Sequence, residues 1–257
     1  MFAGKSRKIE RLDFTIAGAQ KSGTTALHYF LTKHRDITMG DQQEIHFFDD
    51  ENIFSGGPVD YELLHRHFPP LAQATIAGDC TPNYLYWEPA AERIWKYNPR
   101  IKLLVLLRNP IDRAFAHWNM QRFRKREPLG FLEAVKQEKN RTAGPQSLQS
   151  RRFAYAGRGF YAQQLERFFE FFPREQVKVI RAEKFRSKQH ETLDSIFHFL
   201  GVKSRGRIRN KDRNVVPYER AITPEERKYL SAIFADDIAK LERMLGWDCA
   251  DWKSGDA

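Results

Sequence analysis

The chain has 257 residues, and 43 lysines and arginines against 33 aspartates and glutamates give a formal net charge of +10. Hydrophobic residues make up 41% and aromatic residues 13%, which excludes global disorder. Two cysteines, Cys80 and Cys249, are too few for a disulfide scaffold. No segment reaches the roughly 20 apolar residues of a membrane span, and residues 1–13 lack the apolar core of a secretory signal. We therefore expect a cytoplasmic globular protein with an anionic partner.

The predicted elements alternate between strands and helices along the chain. An apolar run at 14–19 predicts a strand, which a polar turn connects to a helix. A short strand is predicted at 75–77, ahead of Gly78 and Asp79, and the continuous apolar run at 101–107 is typical of a buried parallel strand. The remaining elements are a strand at 177–181 and five helices. The helices are predicted at 89–97, from Pro110 onward, at 161–172, at 191–200 and at 224 to about 245.

This alternation predicts an α/β fold in which a central parallel sheet is flanked by helices. We find no repeat and no linker, so we expect a single domain over 1–257, with its core at about 12–252. Residues 139–157 lack periodicity and predict a long loop.

The turn after the first strand contains a pattern close to a phosphate-binding P-loop. Gly18 and Gly23 enclose four residues, and Thr24 and Thr25 follow as hydroxyl donors. Gly23 permits a loop whose N–H groups point inward, and the helix N-terminus adds positive potential. Lys21 lies inside the turn, whereas a nucleoside triphosphatase has its lysine after the second glycine. A turn that binds nothing is the alternative.

The basic motif Arg108-Asn109-Pro110-Ile111-Asp112-Arg113 follows the strongest predicted strand. It lies at the edge where open α/β sheets bind ligands. Arg108 stands where metal-dependent P-loop enzymes have a metal-binding aspartate, so an anion is expected to meet this arginine directly, without metal. The alternative is that Arg108 or Arg113 pairs with Asp112 or with another surface carboxylate.

A third segment carries three ionisable residues, Glu44, His46 and Asp49, around Phe47 and Phe48. Such surroundings predict a partly desolvated carboxylate with a raised pKa and a nearby partner, which suits a general base. The spacing is not a usual zinc signature, so no metal site is expected. The alternative is a solvated polar edge above buried phenylalanines.

Together the three motifs resemble the sulfotransferases that use 3′-phosphoadenosine 5′-phosphosulfate (PAPS). The similarity extends from Phe14 to Trp252, and the nearest branch is the heparan sulfate N- and 3-O-sulfotransferase type with its bacterial relatives. In that family the K-x-G-T-x loop binds the 5′-phosphosulfate, the R-x-P-x-x-R motif binds the 3′-phosphate, and E-x-H-F-F-D carries the catalytic base. The matching donor-binding residues are Lys21, Ser22, Gly23, Thr24, Thr25 and Arg108.

The resemblance implies transfer of a sulfuryl group from PAPS to a hydroxyl or amine, leaving 3′,5′-ADP. Glu44 would be the general base and Lys21 would stabilise charge on the leaving nucleotide, while His46 and Asp49 would orient the base. A carbohydrate acceptor ranks first, ahead of a small hydroxylated metabolite or lipid. The arginines of the variable loops, Arg141, Arg151, Arg152 and Arg158, are candidates to meet an acidic glycan.

The sequence departs from the family pattern at three places. Ala116 replaces a serine that contacts the 3′-phosphate, with His117 as a candidate substitute. Cys80 replaces an active-site lysine of the heparan branch. The loop that closes over PAPS has no clear copy, and Lys211 and Arg213 are its candidates.

Two other classes of function compete with this interpretation. A metal-dependent nucleotide kinase shares the P-loop-like fold, but it requires the P-loop lysine and the strand aspartate. A non-enzymatic polyanion-binding protein would use the +10 charge on a contiguous basic face, with strongly salt-dependent affinity. We expect no nucleic-acid partner and no membrane span.

Overall fold

The computed structural model describes residues 6–72, 75–143, 152–204 and 217–253. These residues form two compact units, each assembled from two stretches of chain. The first unit contains the described residues of 1–106 and 167–214, and the second contains those of 107–166 and 215–257.

The first unit is built on a five-stranded sheet with the order β3-β5-β2-β6-β7, beside a two-stranded antiparallel ribbon of β1 and β4. Strand β2 pairs in parallel with β5 and β6, and β3 pairs in parallel with β5. Every residue of β2 is buried, which explains its apolar and β-branched sequence. The strands are β1 Ser6–Arg7, β2 Phe14–Gly18, β3 Ile37–Met39, β4 Leu71–Ala72, β5 Ile76–Cys80, β6 Lys102–Leu107, which ends at the unit boundary, and β7 Val177–Arg181.

Helices of the first unit bury apolar faces against this sheet. Leu27 and Phe30 of α1 join Ile196 and Phe197 of α10 in one core cluster with strand residues such as Leu104. These side chains recur at helical spacing, so one stripe of each helix faces the core. The helices are α1 Thr24–Leu31, α2 Glu51–Phe54, α3 Glu62–His65, α4 Ala90–Tyr97, α9 Ala182–Ser187 and α10 Gln189–Leu200.

The second unit is helical, and side-chain caps fix where its helices begin. Asn109 accepts a hydrogen bond from the Ile111 N–H and caps α5, with Pro110 at the first helical position. Thr223 and Glu226 form a reciprocal capping box at the start of α11. No helix in the described ranges is long and apolar enough to cross a membrane. The helices are α5 Pro110–Phe123, α6 Phe131–Lys136, α7 Glu138–Arg141, α8 Tyr161–Phe171, whose last turns belong to the first unit, α11 Pro224–Leu245 and α12 Ala250–Lys253.

The predicted α/β class with a central parallel sheet and flanking helices is confirmed. The single domain over 1–257 stays a prediction. The strand predicted at 75–77 is too short, because β5 continues through Gly78 and Asp79 to Cys80. Gly78 lies opposite Phe14 in the neighbouring strand, and the Phe14 ring packs where a Cβ would be.

The predicted loop at 139–157 is wrong at both of its ends. Helix α7 continues to Arg141, and Ala154 and Tyr155 are fully buried. Glu138 connects the two ends of this segment, because its carboxylate accepts hydrogen bonds from the Ala156 and Gly157 N–H groups at 2.6 and 2.7 Å. The middle of the predicted loop, 144–151, lies outside the described residues.

Gly78→Ala tests the strand packing. A Cβ at this position would lie 2.4 Å from the Phe14 ring, so we expect the free energy of unfolding to fall by about 1–3 kcal/mol. Gly56→Ala is the matched control, since a Cβ there meets nothing within 4 Å, and it should change stability by less than about 0.5 kcal/mol. Urea denaturation measures both, and equal effects would contradict the packing argument.

Candidate functional site

Three segments meet at one edge of the first unit's sheet. Strands β2, β3 and β5 are parallel neighbours, so their carboxyl ends share this edge. After β2 comes the loop 19–23, after β3 the segment 40–49, and after β5 the segment 81–84. Open α/β sheets place ligand sites at this edge. The predicted phosphate loop and the predicted base segment therefore lie in the same region.

The loop between β2 and α1 has a backbone that turns sharply. Lys21 and Gly23 both have positive φ, of 69° and 97°. At Gly23 a Cβ would meet only ordinary contacts, at 3.8 Å or more, so the left-handed φ and not the space explains the glycine. The Ala19 N–H donates to the Leu106 carbonyl at 2.7 Å and fixes the loop to β6.

The loop presents groups that suit an anion. Helix α1 begins at Thr24 without any side-chain cap, so its first N–H groups and the positive end of its dipole remain for a ligand. Ser22 is buried, and its hydroxyl oxygen has no hydrogen-bond partner among the described residues. A buried polar atom of this kind normally has a partner, and a bound oxyanion would supply one.

A residue that the sequence analysis missed links the loop to the base segment. The Gln43 side-chain N–H donates to the Thr25 hydroxyl oxygen at 2.8 Å. The next residue, Glu44, is attached to the sheet, because its N–H donates to the Cys80 carbonyl at 2.8 Å. In the sequence, the position next to Glu44 is the one feature that could have indicated a role for Gln43 in the site.

The base segment has an unusual backbone as well. Glu44 and His46 both have positive φ, of 63° and 57°. Buried neighbours support this conformation: the Phe47 N–H donates to the Tyr84 hydroxyl at 3.2 Å, and the His46 N–H to the Thr81 hydroxyl at 3.4 Å. Left-handed backbone at non-glycine residues costs energy and is concentrated at functional sites.

The three predicted ionisable residues come together. His46 lies between two carboxylates, with Nδ1 2.8 Å from an Asp49 oxygen and Nε2 3.4 Å from a Glu44 oxygen. Asp49 is completely buried and also accepts a hydrogen bond from the Asn83 amide. The Glu44 and His46 side chains are 38% and 36% exposed, so Glu44 is the one of the two carboxylates that solvent reaches. The predicted alternative, a merely solvated polar edge, does not account for these contacts.

The carboxylates change the protonation of His46. Burial alone would lower its pKa, but the hydrogen bonds and charges of Asp49 and Glu44 outweigh burial and raise the pKa to about 9. His46 is therefore an imidazolium at neutral pH. Asp79, in the same buried region, has its pKa raised by burial to about 6, although Thr81 donates a hydrogen bond to its carboxylate at 3.2 Å.

Arg108 belongs to the second unit, where it follows the last residue of β6. Its carbonyl accepts a hydrogen bond from the Tyr161 hydroxyl at 2.9 Å. Asp112 pairs with Arg227 at 3.1 Å, not with Arg108. The guanidinium of Arg108 forms no ion pair within the described parts of the chain, so the predicted alternative of a pair with Asp112 is wrong.

Arg108 borders a cleft of about 520 Å³ that lies within the second unit. Arg220 is the other cation of this cleft, and it forms a two-pronged salt bridge with Glu226 while its guanidinium packs 5.4 Å from the centre of the Phe115 ring. Tyr218 stacks on the Phe115 ring, with the two ring centroids 5.6 Å apart and the planes inclined by 5°. The lining residues are Arg108, Asp112, Phe115, Tyr218, Arg220, Ala221 and Ile222.

Several other predicted contributors have structural roles. Arg113 is fully buried and donates to the Tyr155 carbonyl, and Arg158 is also buried. Arg141 pairs with buried Glu127 at 2.7 Å, so neither it nor Arg158 is an exposed cation for a glycan. Arg152 is exposed, whereas Arg151 lies outside the described residues.

The family departures have structural counterparts. His117 is fully buried against Tyr155, so it offers no exposed replacement for the serine that Ala116 lacks. Cys80 is buried beneath the start of α1, with its thiol 3.9 Å from the Thr24 carbonyl, and burial raises its pKa. Lys211 and Arg213 lie outside the described residues.

Comparison with known proteins defines the class of this chain. The family model described as "Sulfotransferase domain" matches residues 11–216. The chain therefore belongs to the sulfotransferase domain family, as the motifs predicted.

Individual relatives agree with this assignment. Bifunctional heparan sulfate N-deacetylase/N-sulfotransferase 2 of Homo sapiens is 28% identical over 208 residues, and the type 1 protein of Mus musculus is 31% identical over 202. These alignments cover 77% and 74% of this chain but only 23% and 22% of the relatives, so the chain spans about a quarter of their length. A crystal structure of a sulfotransferase from Alicyclobacillus acidocaldarius superposes with a TM-score of 0.82 at 30% identity, covering 96% of this chain and all of that one.

The pKa of His46 gives a testable pH dependence. Because the folded-state pKa of about 9 lies above the ordinary value of 6.5, the stabilisation from His46 is complete below pH 6.5 and is lost as the pH rises through 9. We expect the stability difference between the wild type and His46→Gln to shrink over this range. Urea denaturation at pH 6 and pH 10 measures it.

Asp49→Asn is the companion variant, because it keeps the shape of the side chain and removes the charge next to Nδ1. NMR titration should show the His46 pKa well below that of the wild type. A wild-type His46 that titrates near 6.5 would contradict the arrangement.

Proposed function

We propose that this chain transfers a sulfuryl group from PAPS to a hydroxyl or amine of an acceptor. The observation that carries the proposal is the hydrogen bond from Gln43 to Thr25, since it joins the phosphate-loop helix to the segment of the candidate base. A transferase needs its anion-binding loop and its base within reach of one reaction centre. Family membership and the resemblance of all three motifs support the same chemistry.

The donor's phosphosulfate would bind at Lys21, Ser22, Gly23, Thr24 and Thr25. The uncapped start of α1 and the buried Ser22 hydroxyl fit an oxyanion there, because both leave hydrogen-bond donors for its oxygens. Lys21 would stabilise negative charge that develops on the oxygen of the departing nucleotide. Among the described residues, no group of three or more His, Cys, Asp or Glu is arranged to hold a metal ion.

The 3′-phosphate of the donor would bind at Arg108, by the family motif. Two observations in the second unit support this assignment. Arg108 has no carboxylate partner in the described ranges, whereas Arg220, the other arginine of the cleft, is already neutralised by Glu226. An unpaired guanidinium can hold a phosphate by two hydrogen bonds. Lys211 and Arg213 remain candidates to complete the donor site.

The reaction would proceed by in-line displacement at sulfur. The acceptor oxygen or nitrogen forms a bond to sulfur while the bond from sulfur to the 5′-phosphate oxygen breaks, and 3′,5′-ADP departs. Glu44, the partly exposed carboxylate of the group, would take the acceptor proton. The His46 imidazolium lies 3.4 Å from the Glu44 carboxylate, and buried Asp49 holds His46 in place.

A carbohydrate is the acceptor class we propose first. The support is the N-sulfotransferase activity in the names of the heparan sulfate relatives, which is a property of those proteins, together with the net charge of +10, which suits an acidic glycan. Arg152 is the variable-loop arginine with an exposed side chain in the described structure. A screen of glycans and small hydroxylated compounds with labelled PAPS tests this choice.

Glu44→Gln tests the catalytic base. The amide keeps the size of the side chain but cannot accept the proton, so transfer should fall by about 10²-fold or more. Folding and 3′,5′-ADP binding should stay close to wild type. Glu10→Gln, at an exposed position, is the control and should retain full activity. Near-normal turnover in folded Glu44→Gln would remove this residue from the mechanism.

Arg108→Ala tests the 3′-phosphate site. The variant should weaken 3′,5′-ADP by about 10–100-fold, the cost of losing a hydrogen-bonded charge partner, and leave 5′-AMP almost unaffected because 5′-AMP has no 3′-phosphate. Isothermal titration calorimetry measures both affinities. Arg124→Ala, an exposed arginine of the same unit, is the control. Equal losses for the two nucleotides would place the 3′-phosphate elsewhere.

A further inference from the structure

The direction of the Gln43–Thr25 hydrogen bond determines what the Thr25 hydroxyl can do. The Gln43 amide nitrogen carries only donor hydrogens, so the Thr25 oxygen is the acceptor over the 2.8 Å contact. The contact therefore uses Gln43 as a donor toward α1.

A threonine hydroxyl has one proton to donate and lone pairs to accept with. Since Gln43 occupies a lone pair of Thr25, the Thr25 O–H is directed away from Gln43. No described residue accepts this proton in a hydrogen bond, although Thr25 is only half-buried at the second position of α1. A hydroxyl polarised in this way is ready to donate to an anion bound at the helix N-terminus.

The backbone around Gln43 makes the contact rigid. Glu44 N–H donates to the Cys80 carbonyl at 2.8 Å, and the Cys80 thiol lies 3.9 Å from the Thr24 carbonyl. Gln43 is thus held between a strand end and a helix start. Any displacement of the Gln43 side chain therefore changes the orientation of the Thr25 hydroxyl and the position of the segment that carries Glu44.

We propose that Gln43 is a positioning residue, which directs the Thr25 hydroxyl proton toward the 5′-phosphate oxygens of the donor and aligns the Glu44 segment with them. The inference rests on the proposed function, because it takes the anion at this loop to be the donor substrate. Gln43 itself touches no reacting atom in this scheme.

A double-mutant cycle tests the proposal, with 3′,5′-ADP as the probe and calorimetry as the measurement. Thr25→Ala removes the hydrogen bond to the phosphate and should weaken binding by about 10–100-fold. Gln43→Met keeps the length of the side chain but removes the amide, and should weaken binding by about 3–10-fold. In the Thr25→Ala background, Gln43→Met should add almost nothing, because its effect acts through Thr25.

Two controls separate positioning from general destabilisation. Gln42→Met changes the exposed neighbouring glutamine and should bind 3′,5′-ADP like the wild type. Thr25→Ser keeps the hydroxyl, so Gln43→Met should cause the same fold-loss of affinity in the Thr25→Ser background as in the wild type. Thermal melts confirm that each variant is folded, and if Gln43→Met is not, Gln43→Ala replaces it in the cycle.

A third variant reverses the hydrogen bond. Gln43→Glu offers a carboxylate, which accepts the Thr25 proton and adds negative charge near the anion, so it should weaken 3′,5′-ADP more than Gln43→Met does. Multiplicative losses in the cycle, or a Gln43→Met variant that binds like the wild type, would overturn the positioning role. A folded wild type that does not bind 3′,5′-ADP would overturn the proposed function instead, and the inference with it.

Discussion

The parallel pairing of β2 with β5 is the constraint on which the site in the first unit depends. Phe14 lies opposite Gly78 and Ile16 opposite Cys80, so both strands end at the same edge of the sheet. The phosphate loop leaves β2 there, and the Cys80 carbonyl at the end of β5 receives the Glu44 N–H. Two segments that are about 20 residues apart in sequence therefore lie against one sheet edge. Without this register the loop and the base segment would not lie next to each other.

Glycine at position 78 makes this pairing possible. The ring of Phe14 occupies the space where a side chain of residue 78 would begin, and this packing draws the two strands into one buried layer. Because β2 is buried along its whole length, a shift in its register would expose or crowd every one of its side chains. The arrangement at the sheet edge thus depends on a packing contact between the first residue of β2 and the middle of β5.

The two carboxylates of the base segment differ in burial. Asp49 is completely buried and accepts hydrogen bonds from His46 and Asn83. His46 and Glu44 are both partly exposed, and His46 carries a positive charge that the two carboxylates support. A buried anion is costly unless it is paired, so Asp49 requires the imidazolium as much as the imidazolium requires Asp49. Glu44 is then the one of the two carboxylates that solvent reaches.

Local patterns in the sequence predicted the fold class and the family, and both are confirmed. Alternating apolar runs predicted the sheet, and Gly23, which permits a sharply turned loop, has a φ of 97° in the structure. Capping residues at Thr223 and Asn109 fixed two helix starts for the same local reason.

Which polar side chains are buried or paired, and which stay accessible, depends on the tertiary structure. Arg113, Arg141 and Arg158 resemble Arg108 as sequence, yet they are buried or paired, whereas Arg108 has no carboxylate partner in the described ranges. The extension of β5 to Cys80 and the bond from Gln43 to Thr25 also depend on neighbours that are distant in the chain. The physical reason is that hydrogen bonding and desolvation are properties of three-dimensional surroundings, which a one-dimensional pattern does not contain.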